Sequence, residues 1–275
     1  MPDRPARPPR PQTVLTVLRT ERLSPSLVRV HAGGPGFATF TPNAWTDAYV
    51  KIVFVKPELG LEPPYDLAGL RERLAPEDLP VTRTYTVRSV DPEAGSLAID
   101  FVVHGDRGLA GPWAASAAPG DRLVFSGPGG GYAPDDTADW HLFVGDESAV
   151  PAVSAALAAL PADAVGVALL EVHGPDHEVA VDAADGVEIR WLHRDGAEAG
   201  TTSLLADALA ELPWRGGRVQ VFAHGEREAM KAVRDELLVR RGVPRGDLSL
   251  SGYWAFGRTE DRFQAEKREP VGVVL

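Results

Sequence analysis

From residue 13 onward the chain alternates short apolar runs with turn residues. The runs Thr13–Leu18, Leu27–His31, Tyr49–Val55, Arg83–Val90, Leu97–His104 and Arg122–Ser126 are rich in Val, Ile, Thr and aromatic residues, and Gly, Pro and Asp separate them. That pattern predicts β-strands, and Asp66 to Leu74 reads as a short helix between two of them. Strands this short, at this spacing, predict a small antiparallel barrel.

The period changes near residue 140. His141–Val144, Val165–Leu170, Val187–Leu192 and Val219–Ala223 read as buried strands. Between and after them, Val150, Val153, Leu157 and Leu160 recur at helical spacing, as do Leu205, Leu209 and Leu212, and then Met230, Val233 and Leu237. Alternating strand and helix predict a parallel, Rossmann-like α/β sheet. The boundary falls in the polar loop Ala133–Asp139. The expected organisation is therefore a tail over 1–12, an antiparallel β-barrel over 13–135 and an α/β domain over 136–275. The cleft between two such lobes is a common place for small molecules.

Composition narrows the function. The chain has 275 residues, and its net charge of −11 disfavours nucleic acid and anionic membrane partners. It has no cysteine, which excludes disulfides, thiolate nucleophiles and thiolate-held metal clusters. Redox chemistry then needs an organic cofactor or a non-thiolate metal. Met1 to Gln12 carries five prolines and three arginines without an apolar stretch, so it reads as disordered and lacks the centre of a secretory signal. No segment reads as a transmembrane helix. A cytoplasmic monomer is the expected form.

Several constellations could carry chemistry. In Arg83-Thr84-Tyr85-Thr86, strand alternation puts the arginine and tyrosine on one face, suited to a ligand with a phosphate and a flat ring. A surface strand with a paired arginine fits the same residues. In the run from His104 to Ala114, glycines precede Pro112 and an Ala-rich helix, whose first amides attract an anion. An ordinary capped helix fits equally well. Gly127-Pro128-Gly129-Gly130-Gly131-Tyr132 lacks the Lys-Ser/Thr of a Walker loop and reads as a flexible turn. Gly145-Asp146-Glu147-Ser148-Ala149-Val150-Pro151-Ala152 follows the first α/β strand, where open sheets bind ligands, though the full glycine fingerprint is missing. Asp135-Asp136 reads as a solvated linker. His173 and His177 are separated by Gly174-Pro175, which breaks any helix that would pair them on a metal.

Taken together and in order, these segments resemble the siderophore-interacting protein family of flavin-dependent ferric-siderophore reductases, within the wider ferredoxin–NADP reductase-like flavoproteins. The matching pieces are Asp47-Ala48-Tyr49-Val50-Lys51, Arg83 through Arg88, Asp100-Phe101-Val102-Val103-His104-Gly105, Gly108 through Ala114, Gly145 through Ala152, Trp191-Leu192-His193-Arg194 and Gly252-Tyr253-Trp254. The resemblance implies FAD in the barrel: Arg83 on its phosphates, Tyr85 against the flavin or ribityl chain, and Thr86 near flavin N5. It further implies His104, Leu109, Ala110, Gly111 and Trp113 around the rest of FAD. Asp146, Ser148 and Ala149 would face entering NADPH or NADH, with Tyr253 and Trp254 at the C-terminal side of that cleft, near the flavin ring.

The implied substrate is a ferric siderophore, with Lys51 and Arg258 as candidate cations for the chelate and no catalytic acid–base residue. One departure stands out. Basic residues expected after the Tyr-Trp pair are replaced by Ala255-Phe256. Two other activities fit: a general NAD(P)H:flavin or dye reductase, and a flavoprotein that binds siderophore without turnover. Arg194 could meet a 2′-phosphate, with Glu171 opposing it.

Overall fold

The computed structural model describes residues 11–105 and 108–275. The first ten residues of the expected tail, and Asp106 and Arg107 of the glycine-rich turn, lie outside the described residues. Gln12 does not belong to a tail. It opens the first strand, and its side chain exchanges hydrogen bonds with the Tyr65 backbone.

Six strands form the first lobe: β1 (Gln12–Ser24), β2 (Leu27–Gly33), β3 (Tyr49–Phe54), β4 (Val81–Asp91), β5 (Ser96–Val102) and β6 (Arg122–Gly129). They close into an antiparallel barrel in the order β1-β2-β5-β4-β3-β6, with β6 returning to β1. Inward residues such as Leu15, Val30, Val50, Ile52, Ile99, Phe101 and Phe125 are buried and form one core. Helix α1 (Leu67–Arg73) starts where Asp66 accepts the Gly69 amide. Helix α2 (Ala110–Ser116) packs against β2, β5 and the barrel core. Its Trp113 ring lies 5.5 Å from Phe101 and 5.8 Å from Phe54. A Cβ at Gly111 would stand 3.0 Å from the Val102 carbonyl, so this glycine lets the helix press on the end of β5.

β1 runs six residues beyond the apolar stretch that predicted it. Its extension, from Arg19 to Glu21 and Arg22, is exposed and paired with β2, which leaves no alternation to read. The glycine-rich turn after residue 126 is not loose. Gly129 ends β6 under the Tyr49 ring, Gly130 lies on Trp45, and Asp47 accepts the amides of Gly131 and Tyr132. Asp135 is likewise tied down, by Arg218 at 2.6 Å, and is not merely solvated.

The second lobe is a parallel sheet of β7 (Trp140–Asp146), β8 (Val165–Val172), β9 (Gly186–His193), β10 (Val219–Glu226) and β11 (Leu248–Trp254), in the order β11-β10-β7-β8-β9. Helix α3 (Val150–Ala158) covers one face with Phe143, Leu170 and Phe222. Helices α4 (Leu204–Glu211) and α5 (Arg227–Arg234) cover the other with Leu142, Leu169, Val221 and Met230. β11 and the closing helix α6 (Glu260–Glu266) were absent from the sequence pattern. From β7 the chain moves outward to β8 and β9, then crosses back to β10. The strand ends of β7 and β10 therefore flank the switch point, where open sheets bind ligands.

Phe101 joins the barrel core to both Tyr85 and Trp113. Phe101→Ala should lower stability by about 3–5 kcal/mol in urea unfolding.

Candidate functional site

The barrel contributes one wall. On β4, Arg83 and Tyr85 alternate with outward-facing Thr84, as the strand period requires. Tyr85 stacks 4.4 Å from Phe101, and burial, with Glu260 adding, pushes its phenol up to about 12. The Arg83 guanidinium meets the exposed Asp261 carboxylate at 3.3 Å. Thr86 is buried on the opposite face and bonds to the Tyr253 hydroxyl across the cleft. Nearby, α2 begins at Leu109 with no side-chain cap, leaving its first amides without that partner. The glycines before it, Gly105 at φ +55° and Gly108 at φ +82°, turn the chain there. His104 is exposed just after β5, and the surrounding protein lowers its pKa by desolvation against the pull of Glu147.

The sheet contributes the other wall. Asp146 ends β7 and is buried. It accepts the Ser148 amide and hydroxyl, the Glu226 amide at 2.8 Å and the Trp254 indole N–H at 2.8 Å. Burial nevertheless raises its pKa. Thus three of the expected cleft residues meet at one carboxylate: Ser148 and Trp254 both donate to Asp146, which joins the ends of β7, β10 and β11. Ala149 is buried directly behind them, and a Cβ at Gly145 would sit 2.7 Å from its methyl group.

Two carboxylates that the sequence reading gave no role complete this wall. Glu226 accepts the Ala229 amide at the start of α5 and the Phe256 amide after β11. Glu147 binds Arg194 at 2.7 Å and Ser26 of the barrel at 3.0 Å. His177 also reaches Ser26, at 2.7 Å, so the lobes are clasped at this edge. Burial works to raise Glu147, but Arg194 and Ser26 outweigh it and its pKa falls. Glu171 takes the other side of Arg194 at 3.4 Å and Thr202 at 2.8 Å, and there burial wins and its pKa rises. A lone glutamate after a glycine–aspartate turn gives no sequence signal for such a role.

Lys51 and Arg258 are not brought together. Lys51 lines an open groove of about 510 Å³ between the barrel and α6, together with Arg71, Thr84, Glu260 and Arg268. Arg258 instead binds Glu266 at 2.8 Å, a carboxylate it shares with Arg227 and Arg262. Among the described residues no cluster of three or more His, Asp or Glu side chains could hold a metal ion, and no helix is long and apolar enough to cross a membrane.

A closed six-stranded barrel followed by a parallel sheet with helices is the architecture of ferredoxin reductase-type flavoproteins. The phthalate dioxygenase reductase structure shares the fold, with a TM-score of 0.59 over 91% of this chain and 70% of that one at 15% identity. The particular family follows from closer matches. Residues 16–132 match the siderophore-interacting FAD-binding domain, and residues 138–257 match the siderophore-interacting protein model. The chain is 34% identical to the ferric vibriobactin reductase of Vibrio cholerae, covering 92% of this chain and 93% of that one. It is 35% identical over 185 residues to the NADPH-dependent ferric-chelate reductase of Escherichia coli, covering 66% of this chain and 71% of that one. The crystal structure of a siderophore utilization protein from T. fusca has a TM-score of 0.79 at 41% identity, covering 90% of this chain and 94% of that one. The protein belongs to the siderophore-interacting protein family. Its barrel fits FAD chemically: it presents a guanidinium whose one charged partner is an exposed carboxylate, an aromatic ring and a helix start without a side-chain cap.

His224 lies on β10 two residues before its end, stacked 3.9 Å on Phe222 and 4.8 Å from Tyr253, and burial drives its pKa down to about 3. A buried imidazole kept neutral in the fold but protonated when unfolded makes stability fall as pH drops below about 6.5. Between pH 7 and pH 5, wild type should lose about 2 kcal/mol more than His224→Phe, read from urea midpoints.

Proposed function

We propose that the protein is an FAD-containing oxidoreductase that takes a hydride from NADPH or NADH and passes electrons singly to ferric siderophores. The observation that carries this reading is the two-walled cleft. One wall offers a guanidinium paired with an exposed carboxylate and a ring, and the other is the switch-point edge of a parallel sheet.

FAD, when bound, supplies the step between a two-electron donor and a one-electron acceptor. Arg83 would exchange the Asp261 carboxylate for the cofactor's phosphates, a stronger and multiply charged partner. The amides at Leu109, Ala110 and Gly111 would take the remaining anionic charge, with Trp113 fixing the helix that carries them and His104 at its approach. Tyr85 would support a flat ring, and Thr86 would orient its edge at N5 with its hydroxyl. The turn over Asp146, Ser148 and Ala149 would shape the nucleotide's entry, with the Trp254 indole closing that side. Lys51 would draw in the negatively charged chelate. Arg258 has its charge spent on Glu266 and serves this better as a brace for α6. Electron transfer needs proximity rather than a proton relay, so no acid–base pair is required. The ferric ion is substrate, held by its chelate. Oxygen donors hold Fe(II) less tightly than Fe(III), so reduction loosens the iron.

Ala255 and Phe256 lack the cationic charge expected beside the chelate, which favours a second reading, a general flavin reductase. Anaerobic visible spectroscopy separates the two. Nucleotide should bleach a bound flavin band, and ferric siderophore should restore it. Recovery with free flavin or dyes alone supports the second reading, and the absence of any flavin band contradicts both.

Arg83→Ala should weaken FAD binding by about tenfold or more, measured by fluorescence titration of flavin-stripped protein. Unchanged affinity would remove Arg83 from the phosphate site.

A further inference from the structure

We infer that the cleft selects NADH over NADPH, and that Glu171 sets this selection through its hold on Arg194. The inference rests on the proposed nicotinamide donor.

In Rossmann-type sheets the adenosine ribose meets a side chain about 20 residues beyond the turn after the first strand. A carboxylate there suits a free 2′-hydroxyl, whereas a 2′-phosphate calls for an available guanidinium. Here that distance leads to β8, where Glu171 lies in register with Asp146 of β7. Residues 171–178 and 193–203, which end and follow β8 and β9, contain five carboxylates and one guanidinium. The carboxylates are Glu171, Asp176, Glu178, Asp195 and Glu198, and the guanidinium is Arg194.

Arg194 is not available. It is buried, with one terminal nitrogen on Glu147 at 2.7 Å and the other on Glu171 at 3.4 Å. Its Nε is buried without a partner, so no donor of this group faces solvent to greet a ligand. Two carboxylates share one cation, and the site is electrostatically closed to further anions. Two neighbouring imidazoles are engaged as well: Glu178 holds His193 at 2.7 Å, and Ser26 and Glu147 hold His177, while the exposed His173 ring packs on His177. A 2′-phosphate carries about −1.5 to −2 charge. It would have to enter this field or pull Arg194 away from both partners. A 2′-hydroxyl carries no charge and meets neither obstacle.

Glu171 is itself buried and bonded to Thr202, so it acts on the nucleotide through Arg194 as a positioning residue. The same geometry distinguishes this chain's expected preference from the donor in the name of the Escherichia coli relative, the NADPH-dependent ferric-chelate reductase.

The test uses flavin-loaded protein. Dissociation constants for NAD⁺ and NADP⁺ would be measured by calorimetry, alongside anaerobic flavin bleaching by NADH and NADPH, each at low and at moderate salt. We expect NADH to be favoured by at least about tenfold. Salt should narrow the gap by improving NADPH, because screening weakens a repulsion between charges. Glu171→Gln should narrow it several-fold through the NADPH constant, while Glu171→Asp keeps it. Equal or tighter binding of NADPH overturns the inference, as does a ratio unmoved by Glu171→Gln. If that variant fails to fold, the salt series decides, and a ratio indifferent to salt overturns it. If neither nucleotide binds or bleaches the flavin, the nicotinamide reading itself falls, and this inference with it.

Discussion

The buried carboxylate of Asp146 is the constraint on which the site depends. A charge removed from water is costly unless donors surround it. Here the donors come from the turn after β7, from the backbone at the end of β10 and from the indole at the end of β11. Satisfying one side chain therefore fixes three strand ends against one another. Gly225 makes room for it, because a Cβ there would stand 2.9 Å from the carboxylate oxygen. The sheet edge facing the barrel is rigid for this reason, and a rigid edge can hold a fixed distance to whatever the barrel binds.

The two lobes meet where the apolar helix α3 packs on β4, and polar links close the rims. Ser26 with Glu147 and His177 closes one edge, and Arg83 with Asp261 closes another. The second link is the weaker, since Asp261 is exposed and its pairing with Arg83 is screened by water. A stronger anion can displace it at little cost. The two rims thus differ in kind: one is buried and structural, the other open to exchange with a phosphate.

Much of this was legible in the residues. Runs such as Tyr49–Val55 and Leu97–His104 announced barrel strands because one face of each is buried and apolar. The spacing of Val150, Val153 and Leu157 announced α3 for the same reason. β11 was missed because its alternating stretch, Leu248-Ser249-Leu250-Ser251, is only four residues long before Gly252, and the charged α6 has little apolar face to read. In the site, Arg83 and Tyr85 could be paired by strand period alone. The partnership of Asp146 with Trp254, 108 positions apart, could not. Nor could the capture of Arg194 by Glu147 and Glu171, since only the order of parallel strands brings those side chains together. The glycine run after Ser126 misled in the opposite direction. Its glycines serve close packing under Tyr49 and Trp45 rather than freedom of the chain.

The central claim is that this cleft converts a two-electron donor into one-electron reduction of chelated iron. The most direct measurement counts both sides of that exchange without oxygen: nicotinamide oxidised, and Fe(II) trapped by a ferrous-specific dye, with a ferric siderophore as acceptor. The account predicts about two Fe(II) for each nucleotide, at a rate well above that of the same amount of free FAD. Nucleotide oxidation with no Fe(II), or a rate no better than free FAD, would contradict it.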